Sequence, residues 1–260
     1  MDLVRGEGEH YPDIGALAER ARRPEGRWTA ISSEQFTAPF GVAGAELARV
    51  QAEVCGQLAE AFPEAHILLL TRGFRSILVS GYSQYVREGG GEDFYVFREV
   101  GQEDMAYAVH AWDYDYLVRL YREAFGGRVI ALPYELLGDD PSAFLRALEA
   151  RLGIDRLDIP LDRLNPSLKP HEMRWYPRLA RAFARIGGRR LQRWHAARIG
   201  SPPWRLAAGA LQAVFPAVPV SKALIADAHI DFFRGRASAF ADDPLYAPYR
   251  ADYLLDAPPL

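Results

Sequence analysis

Cysteine and lysine are both scarce in this chain of 260 residues. Cys55 is its single cysteine, which excludes an internal disulfide and any metal cluster built from cysteines. It falls within a helical pattern, so we expect a small buried residue there. Lys169 and Lys222 are the only lysines among 31 basic residues, a skew that we attribute mainly to genome composition.

Long apolar runs are also missing. No run approaches the roughly 18 residues needed to span a bilayer, and the N-terminus has no apolar core of a secretory signal. We therefore expect a cytoplasmic protein. With 49% hydrophobic and 25% charged residues, the chain has the composition of a globular protein with a substantial core. Its length fits one large α/β domain, or one domain with a helical extension.

Acidic residues are missing from residues 173–226, which carry nine arginines and Lys222. This asymmetry favours an anionic partner near the basic segment. Within it, residues 173–205 also hold Trp175, Tyr176, Trp194 and Trp204. Three interpretations stay open: cover for an anionic acceptor such as an acidic polysaccharide, peripheral contact with an acidic membrane surface, or a solvated helical face that pairs with the acidic remainder of the protein. We expect no nucleic-acid partner, because the pI is about 6.1 and no reader motif is present.

Apolar patterns alternate between helices and strands up to about residue 164. Helices are predicted over residues 14–22, 45–62, 76–86, 113–125 and 140–153, and strands over residues 27–32, 66–71 and 128–132. Helices alone are predicted after that, with breaks at Gly187-Gly188 and at Ser201-Pro202-Pro203. The alternation predicts an α/β fold with a mostly parallel sheet and helices on both faces. The run 66–71 has no polar alternation, so we expect that strand to be covered on both faces.

Several helix ends are marked by their residues. Asp113 and Asp140 are predicted N-caps, and Gly126 and Gly153 are predicted to end the same two helices. The inward face of the helix 113–125 is predicted from helical spacing to consist of Leu117, Leu120, Tyr121 and Ala124.

The stretch AHILLLTRGFRSILVSGYS places Arg72 at the end of a strand and a helix shortly after it. In such sheets ligands gather at the carboxyl ends of strands, and helix N-termini there offer unpaired amides to an anion. Arg72 supplies a forked, permanently charged donor. Ser76 and Ser80 lie one helical turn apart, so both hydroxyls face the same way. Together they predict a phosphate site, although a structural ion pair of Arg72 is the alternative.

The short sequence segments around Arg72 follow one another in an order that resembles a known family. RWTAISSE, FPEAHILLLTR, SGYSQYVREGG, FGGRVIALPYELLGDDP and FLRALEARLGI follow one another as in PAPS-dependent sulfotransferases, especially bacterial ones of the carbohydrate type. The resemblance covers residues 27–170. It implies a three-layer P-loop-kinase-like fold, PAPS as sulfuryl donor with PAP as product, and a hydroxyl or amine acceptor. We expect no metal, because the sequence has no clustered set of His, Cys, Asp or Glu ligands. Residues 1–170 would form the nucleotide-binding core and residues 171–260 an Arg-rich helical extension packed on it.

The resemblance also implies roles for individual residues. Arg72 and Ser80 would contact the 3′-phosphate of the nucleotide, with Ser76 beside them, and Tyr134 would lie near the nucleotide. Glu34 would be the catalytic base, since sulfuryl transfer requires the acceptor to lose a proton. The alternative for Glu34 is that it or Ser33 simply caps the following segment. For Tyr134 the alternative is packing on the sheet. His10 and His110 are further candidates for the catalytic base, after Glu34.

One departure from the family stands out. No loop of the type Pro-Lys-x-Gly-Thr-Thr, which holds the 5′-phosphosulfate in the family, is present. Gly73-Phe74 follows Arg72, where the family usually has a proline two positions after the arginine. Without the strand that precedes this loop, the strands 66–71 and 128–132 would pair directly, or another segment would fill the gap. Three functional hypotheses stay open: a sulfotransferase, a non-catalytic relative that binds nucleotide or acceptor, and a membrane-peripheral protein that uses its basic aromatic helices.

Overall fold

The computed structural model describes residues 2–5, 14–21, 29–37, 42, 44–100, 110–157 and 167–256. The strands are β1 (Asp2–Arg5), β2 (Thr29–Ser32), β3 (Ile67–Thr71) and β4 (Val129–Pro133). The α-helices are α1 (Ile14–Ala21), α2 (Gly44–Ala61), α3 (Phe74–Arg87), α4 (Phe94–Val100), α5 (Tyr114–Phe125), α6 (Tyr134–Asp139), α7 (Pro141–Leu152), α8 (Pro170–Ala196) and α9 (Pro202–Val214). Short 3₁₀ helices occupy much of residues 222–249.

The described strands form two small parallel sheets, β1 with β2 and β3 with β4. The central pair joins β3 directly to β4, with Ile67 opposite Val129 and Thr71 opposite Pro133. Direct pairing is one of the two alternatives that the missing phosphosulfate loop left open. Helices combined with small parallel sheets are compatible with the predicted α/β class, while the three-layer P-loop-like arrangement stays a prediction.

The prediction that strand β3 is covered on both faces is wrong. Leu69 and Thr71 are buried, but Leu68 and Leu70 are 40% and 51% exposed. Their neighbours on β4, Ile130 and Leu132, lie under Phe144 and Leu148 of α7 in a small cluster of their own. Because α7 covers only the β4 side of this face, Leu68 and Leu70 of β3 stay exposed although the whole run is apolar.

The predicted helix ends are confirmed where they were marked. The Asp113 carboxylate accepts a hydrogen bond from the Tyr116 amide, and the Asp140 carboxylate accepts one from Ala143. Gly153 ends α7 in the left-handed conformation, with φ of 65°. The inward face of α5 was predicted partly wrongly, since Ala124 is exposed and Val118 is buried in its place.

The long helix α8 consists of two helical halves separated by a break. Gly187 and Gly188 leave helical geometry, with Gly188 at φ 61° and ψ −157°, as the predicted break required. The second half folds back on the first, because His195 Nε2 lies 3.1 Å from the Tyr176 carbonyl oxygen. Trp204 of α9 donates to His195 Nδ1 at 2.6 Å and so attaches α9 to both halves. Across the described parts of the chain, no helix is both long and apolar enough to cross a membrane.

The C-terminal segment, residues 220–256, returns to the nucleotide-binding core predicted from the sequence. Its buried aromatic residues belong to the same hydrophobic cluster as α2, α3 and α5: Phe233, Phe240, Tyr246 and Tyr253. The Phe233 ring stacks on Phe74, the first residue of α3, at 4.4 Å between centroids. The extension is thus packed against the first helix after Arg72, and the division into residues 1–170 and 171–260 stays a prediction.

Candidate functional site

Arg72 lies between the end of β3 and the start of α3, and its backbone is held by one side chain. The Tyr114 hydroxyl of α5 accepts a hydrogen bond from the Arg72 amide at 2.9 Å and donates one to the Arg72 carbonyl at 2.7 Å. Burial raises the pKa of Tyr114 well above its ordinary value, so the phenol keeps the proton that it donates. The position from which the Arg72 side chain leaves the sheet is therefore fixed.

The Arg72 side chain reaches two of the residues predicted to share its site. Its Nη1 donates to Ser80 Oγ at 2.9 Å, and its guanidinium carbon lies 4.9 Å from the centre of the Tyr134 ring. Its Nε is buried and has no hydrogen-bond partner among the described residues. Ser76 is buried in α3 one turn before Ser80. The structure thus brings together a guanidinium, a hydroxyl and an aromatic ring, with one donor still to be satisfied.

Glu34 lies in a 3₁₀ helix, Glu34–Phe36, just after β2, and its side chain lies outside the described residues. The Ser33 hydroxyl accepts a hydrogen bond from the Gln35 amide at 3.2 Å, so Ser33 caps this turn. The role of Glu34 as base stays a prediction. His10 lies outside the described residues, and the His110 carbonyl accepts from the Gln51 side chain at 3.3 Å.

Two amides at the start of α3 are already used by the protein. Gly73 N donates to Glu135 Oε1 at 3.0 Å, and Phe74 N donates to the Asp252 carbonyl at 2.7 Å. A Cβ atom at Gly73 would lie 2.6 Å from Asp252 Cβ. Glycine therefore follows Arg72 because the C-terminal segment approaches the backbone too closely for a side chain.

A buried hydrogen-bond network closes the carboxyl ends of β3 and β4. Thr71 Oγ1 lies 2.8 Å from the Tyr246 hydroxyl and 3.1 Å from the Tyr253 hydroxyl. Tyr253 in turn donates to Glu135 Oε2 at 3.0 Å. Burial raises the pKa of both tyrosines, so both stay protonated. The Glu135 carboxylate is thus held between the C-terminal segment and Gly73.

Sequence reasoning did not find this role of the C-terminal segment. Tyr246 and Tyr253 follow no helical or strand periodicity, because their segment consists of turns and short 3₁₀ helices. The only signal was the pair Gly73-Phe74, which lacks the proline that the family usually has two positions after the arginine.

Replacing Gly73 with alanine is expected to destabilise the protein by about 1–3 kcal/mol. The added methyl group must displace Asp252, and this weakens the hydrogen bond from Phe74 N to the Asp252 carbonyl. Urea unfolding measures the change. Gly56→Ala is the matched control, since nothing lies within 4 Å of a Cβ at Gly56 in the interior of α2; there alanine should stabilise slightly. Equal effects of the two substitutions would show that the C-terminal segment does not rest on Gly73.

No metal site accompanies this cluster in the described ranges, where no three His, Cys, Asp or Glu side chains are grouped to hold an ion. Comparison with known proteins identifies the segment around it. The model of the sulfotransferase family matches residues 49–158, which contain β3, α3 and β4 and with them Arg72, Ser80 and Tyr134. No curated protein and no solved structure matches the chain. Residues 49–158 thus match the sulfotransferase family that the order of the sequence segments predicted.

Proposed function

We propose that this protein transfers a sulfuryl group from PAPS to a hydroxyl group of a carbohydrate or small-molecule acceptor. The observation that carries the proposal is the contact of Arg72 with Ser80 and Tyr134, three residues that the family resemblance assigns to nucleotide binding. The family match over residues 49–158 supports sulfuryl transfer as the chemistry.

The cluster fits the nucleoside 3′-phosphate of PAPS. Arg72 presents a buried Nε without a partner, and an arginine fork binds phosphate oxygens through two parallel hydrogen bonds. Ser80 supplies a hydroxyl beside the same guanidinium, and the Tyr134 ring supplies an aromatic face. PAPS, when bound, supplies the sulfuryl group and the leaving phosphate. Glu34 is our candidate to accept the proton of the acceptor hydroxyl.

A second candidate function is binding of the nucleotide or acceptor without catalysis. It is favoured by the other half of the site, where the amides of Gly73 and Phe74 are bonded to Glu135 and to the Asp252 carbonyl. These amides are therefore not available to a phosphosulfate group, and the sequence contains no lysine-bearing loop of the family type to replace them. Both candidates share the 3′-phosphate contacts of Arg72 and Ser80.

Calorimetric titration with PAP tests the shared part of both candidates. We expect PAP to bind the wild-type protein and to lose about 1–3 kcal/mol of binding free energy in Arg72→Ala, as for a charged hydrogen-bonded contact. Arg146→Ala is the control, because Arg146 is exposed on α7 and its nearest acidic oxygen, on Asp140, is 3.8 Å away. Folded wild-type protein that does not bind PAP would refute the nucleotide site.

Turnover then separates the two candidates. Release of PAP from PAPS, accelerated by a panel of carbohydrate acceptors, would support the transferase, and loss of that acceleration in Glu34→Gln would support Glu34 as the base. PAP binding without any acceptor-dependent release would favour the non-catalytic protein.

A further inference from the structure

Helix α9 has an apolar side that the described parts of the protein do not cover. The helix buries Ala208 completely, yet the opposite side, at helical spacing, carries four exposed residues: Leu206, Ala210, Ala213 and Val214. Leu206 is 75% exposed and Val214 is 68% exposed. Phe215 and Val218, just after the helix, are also exposed, at 60% and 59%. A helix normally turns its polar residues to solvent, so an apolar outer stripe indicates a surface that receives a partner.

The end of α8, which packs against the start of α9, carries exposed arginines. The Trp194 ring lies 5.3 Å from the ring of Trp204, in the first turn of α9. Arg189, Arg190 and Arg193 are exposed on the same half of α8. Among the described residues, no carboxylate lies within ion-pair distance of these three arginines.

Other arginines of the basic segment do have acidic neighbours. Arg174 pairs with Asp93 at 2.9 Å, and Arg205 lies 3.7 Å from Glu172. Pairing with the acidic remainder of the protein, one of the three interpretations of this segment, therefore describes its beginning and the start of α9. The three arginines near Trp194 need another explanation.

We propose that this face of α8 and α9 binds the surface of an anionic lipid bilayer. Leu206 and Val214 enter the boundary between headgroups and acyl chains, and the three exposed arginines bind the acidic headgroups. Trp194, which is 41% exposed, lies at the depth where tryptophan is favoured in membranes. Residues 173–226 contain no Asp or Glu, so no carboxylate of this segment repels the acidic headgroups.

The combination of charge and apolar surface selects this partner over two others. A second copy of the chain in a two-fold contact would bring the same arginines against one another, because such a contact pairs a surface with itself. A soluble acidic polysaccharide would bind the arginines but would leave Leu206 and Val214 in water. An anionic bilayer takes up both.

Vesicle flotation of the full chain tests the proposal. We expect the protein to float with vesicles of phosphatidylcholine mixed with phosphatidylserine, and to stay behind with phosphatidylcholine alone. Reversing the charge of Arg189, Arg190 and Arg193 to glutamate should lower the partition coefficient about 100-fold or more. Leu206→Asn with Val214→Asn should lower it about tenfold or more while leaving the charge unchanged. The control reverses three exposed arginines elsewhere, Arg122, Arg146 and Arg156, and should keep most of the binding.

Four results would overturn the proposal. They are no binding to anionic vesicles by folded protein, equal binding to neutral vesicles, equal losses in the control, and full binding by the asparagine variant. Two further measurements identify the competing partners. An acidic polysaccharide that binds the asparagine variant as tightly as it binds the wild-type protein would assign the face to a soluble polyanion. A dimer in gel filtration that dissociates in the asparagine variant would assign it to a second copy.

Discussion

Replacing Phe74 with alanine is expected to lower the free energy of unfolding by about 3–5 kcal/mol, the largest effect of any substitution considered near the site. Phe74 is fully buried at the start of α3. Its ring stacks on Phe233 at 4.4 Å and on Tyr114 at 5.6 Å, and it also lies 6.2 Å from Tyr253. Alanine would leave a cavity where α3, α5 and the C-terminal segment meet.

Urea unfolding of Phe74→Ala measures this loss, and Phe215→Ala is the matched control. Phe215 is 60% exposed, so its truncation should change the stability by about 0.5 kcal/mol or less. Phe74→Leu should lie between the two, because it refills part of the cavity. A loss in Phe74→Ala no larger than in Phe215→Ala would mean that the C-terminal segment is not packed on α3.

A double-substitution cycle gives the same contact a second test. If Phe74 and Phe233 stack directly, the effects of Phe74→Ala and Phe233→Ala should not add, and the coupling free energy should be about 0.5–3 kcal/mol. Additive effects would place the two rings in separate environments.

The parts of the fold that could be predicted from the sequence are those with local physical causes. Asp140 followed by Pro141 fixes the start of α7, and Gly153 adopts the left-handed conformation that ends it. The break at Gly187–Gly188 was predictable for the same reason, since glycine leaves helical geometry at little cost. These signals depend only on neighbouring residues.

The pairing of Arg72 with Ser80 was predictable from the spacing that the family resemblance gave. Arg72 lies just before α3 and Ser80 in its second turn, and the structure places Nη1 at 2.9 Å from Ser80 Oγ. The environment of this cluster was not predictable. Asp252 and Tyr253 reach Gly73 and Glu135 from the far end of the chain, and no periodicity in the C-terminal segment shows where it packs. Similarly, the apolar run of β3 does not show that α7 covers only its neighbour β4.

Tyr114→Phe is expected to cost about 2–4 kcal/mol, because it removes one hydroxyl that satisfies two backbone groups of Arg72. Phenylalanine keeps the ring and hence its stacking on Phe74. The cost therefore reports the loss of the two hydrogen bonds, which leaves the Arg72 amide and carbonyl without that partner. Once they are released, the Arg72 side chain is no longer held in register with Ser80 and Tyr134.

Tyr121→Phe is the matched control on the same helix, α5. Its buried hydroxyl donates a single hydrogen bond, to the Phe36 carbonyl at 3.1 Å, so its removal should cost about 1 kcal/mol. Urea unfolding compares the two variants, and calorimetry then compares their PAP binding under conditions where both are folded. Weaker PAP binding in Tyr114→Phe alone would show that affinity depends on how the Arg72 backbone is held. Equal PAP binding in both variants would show that the phosphate contact tolerates movement of Arg72, and that Tyr114 serves only the fold.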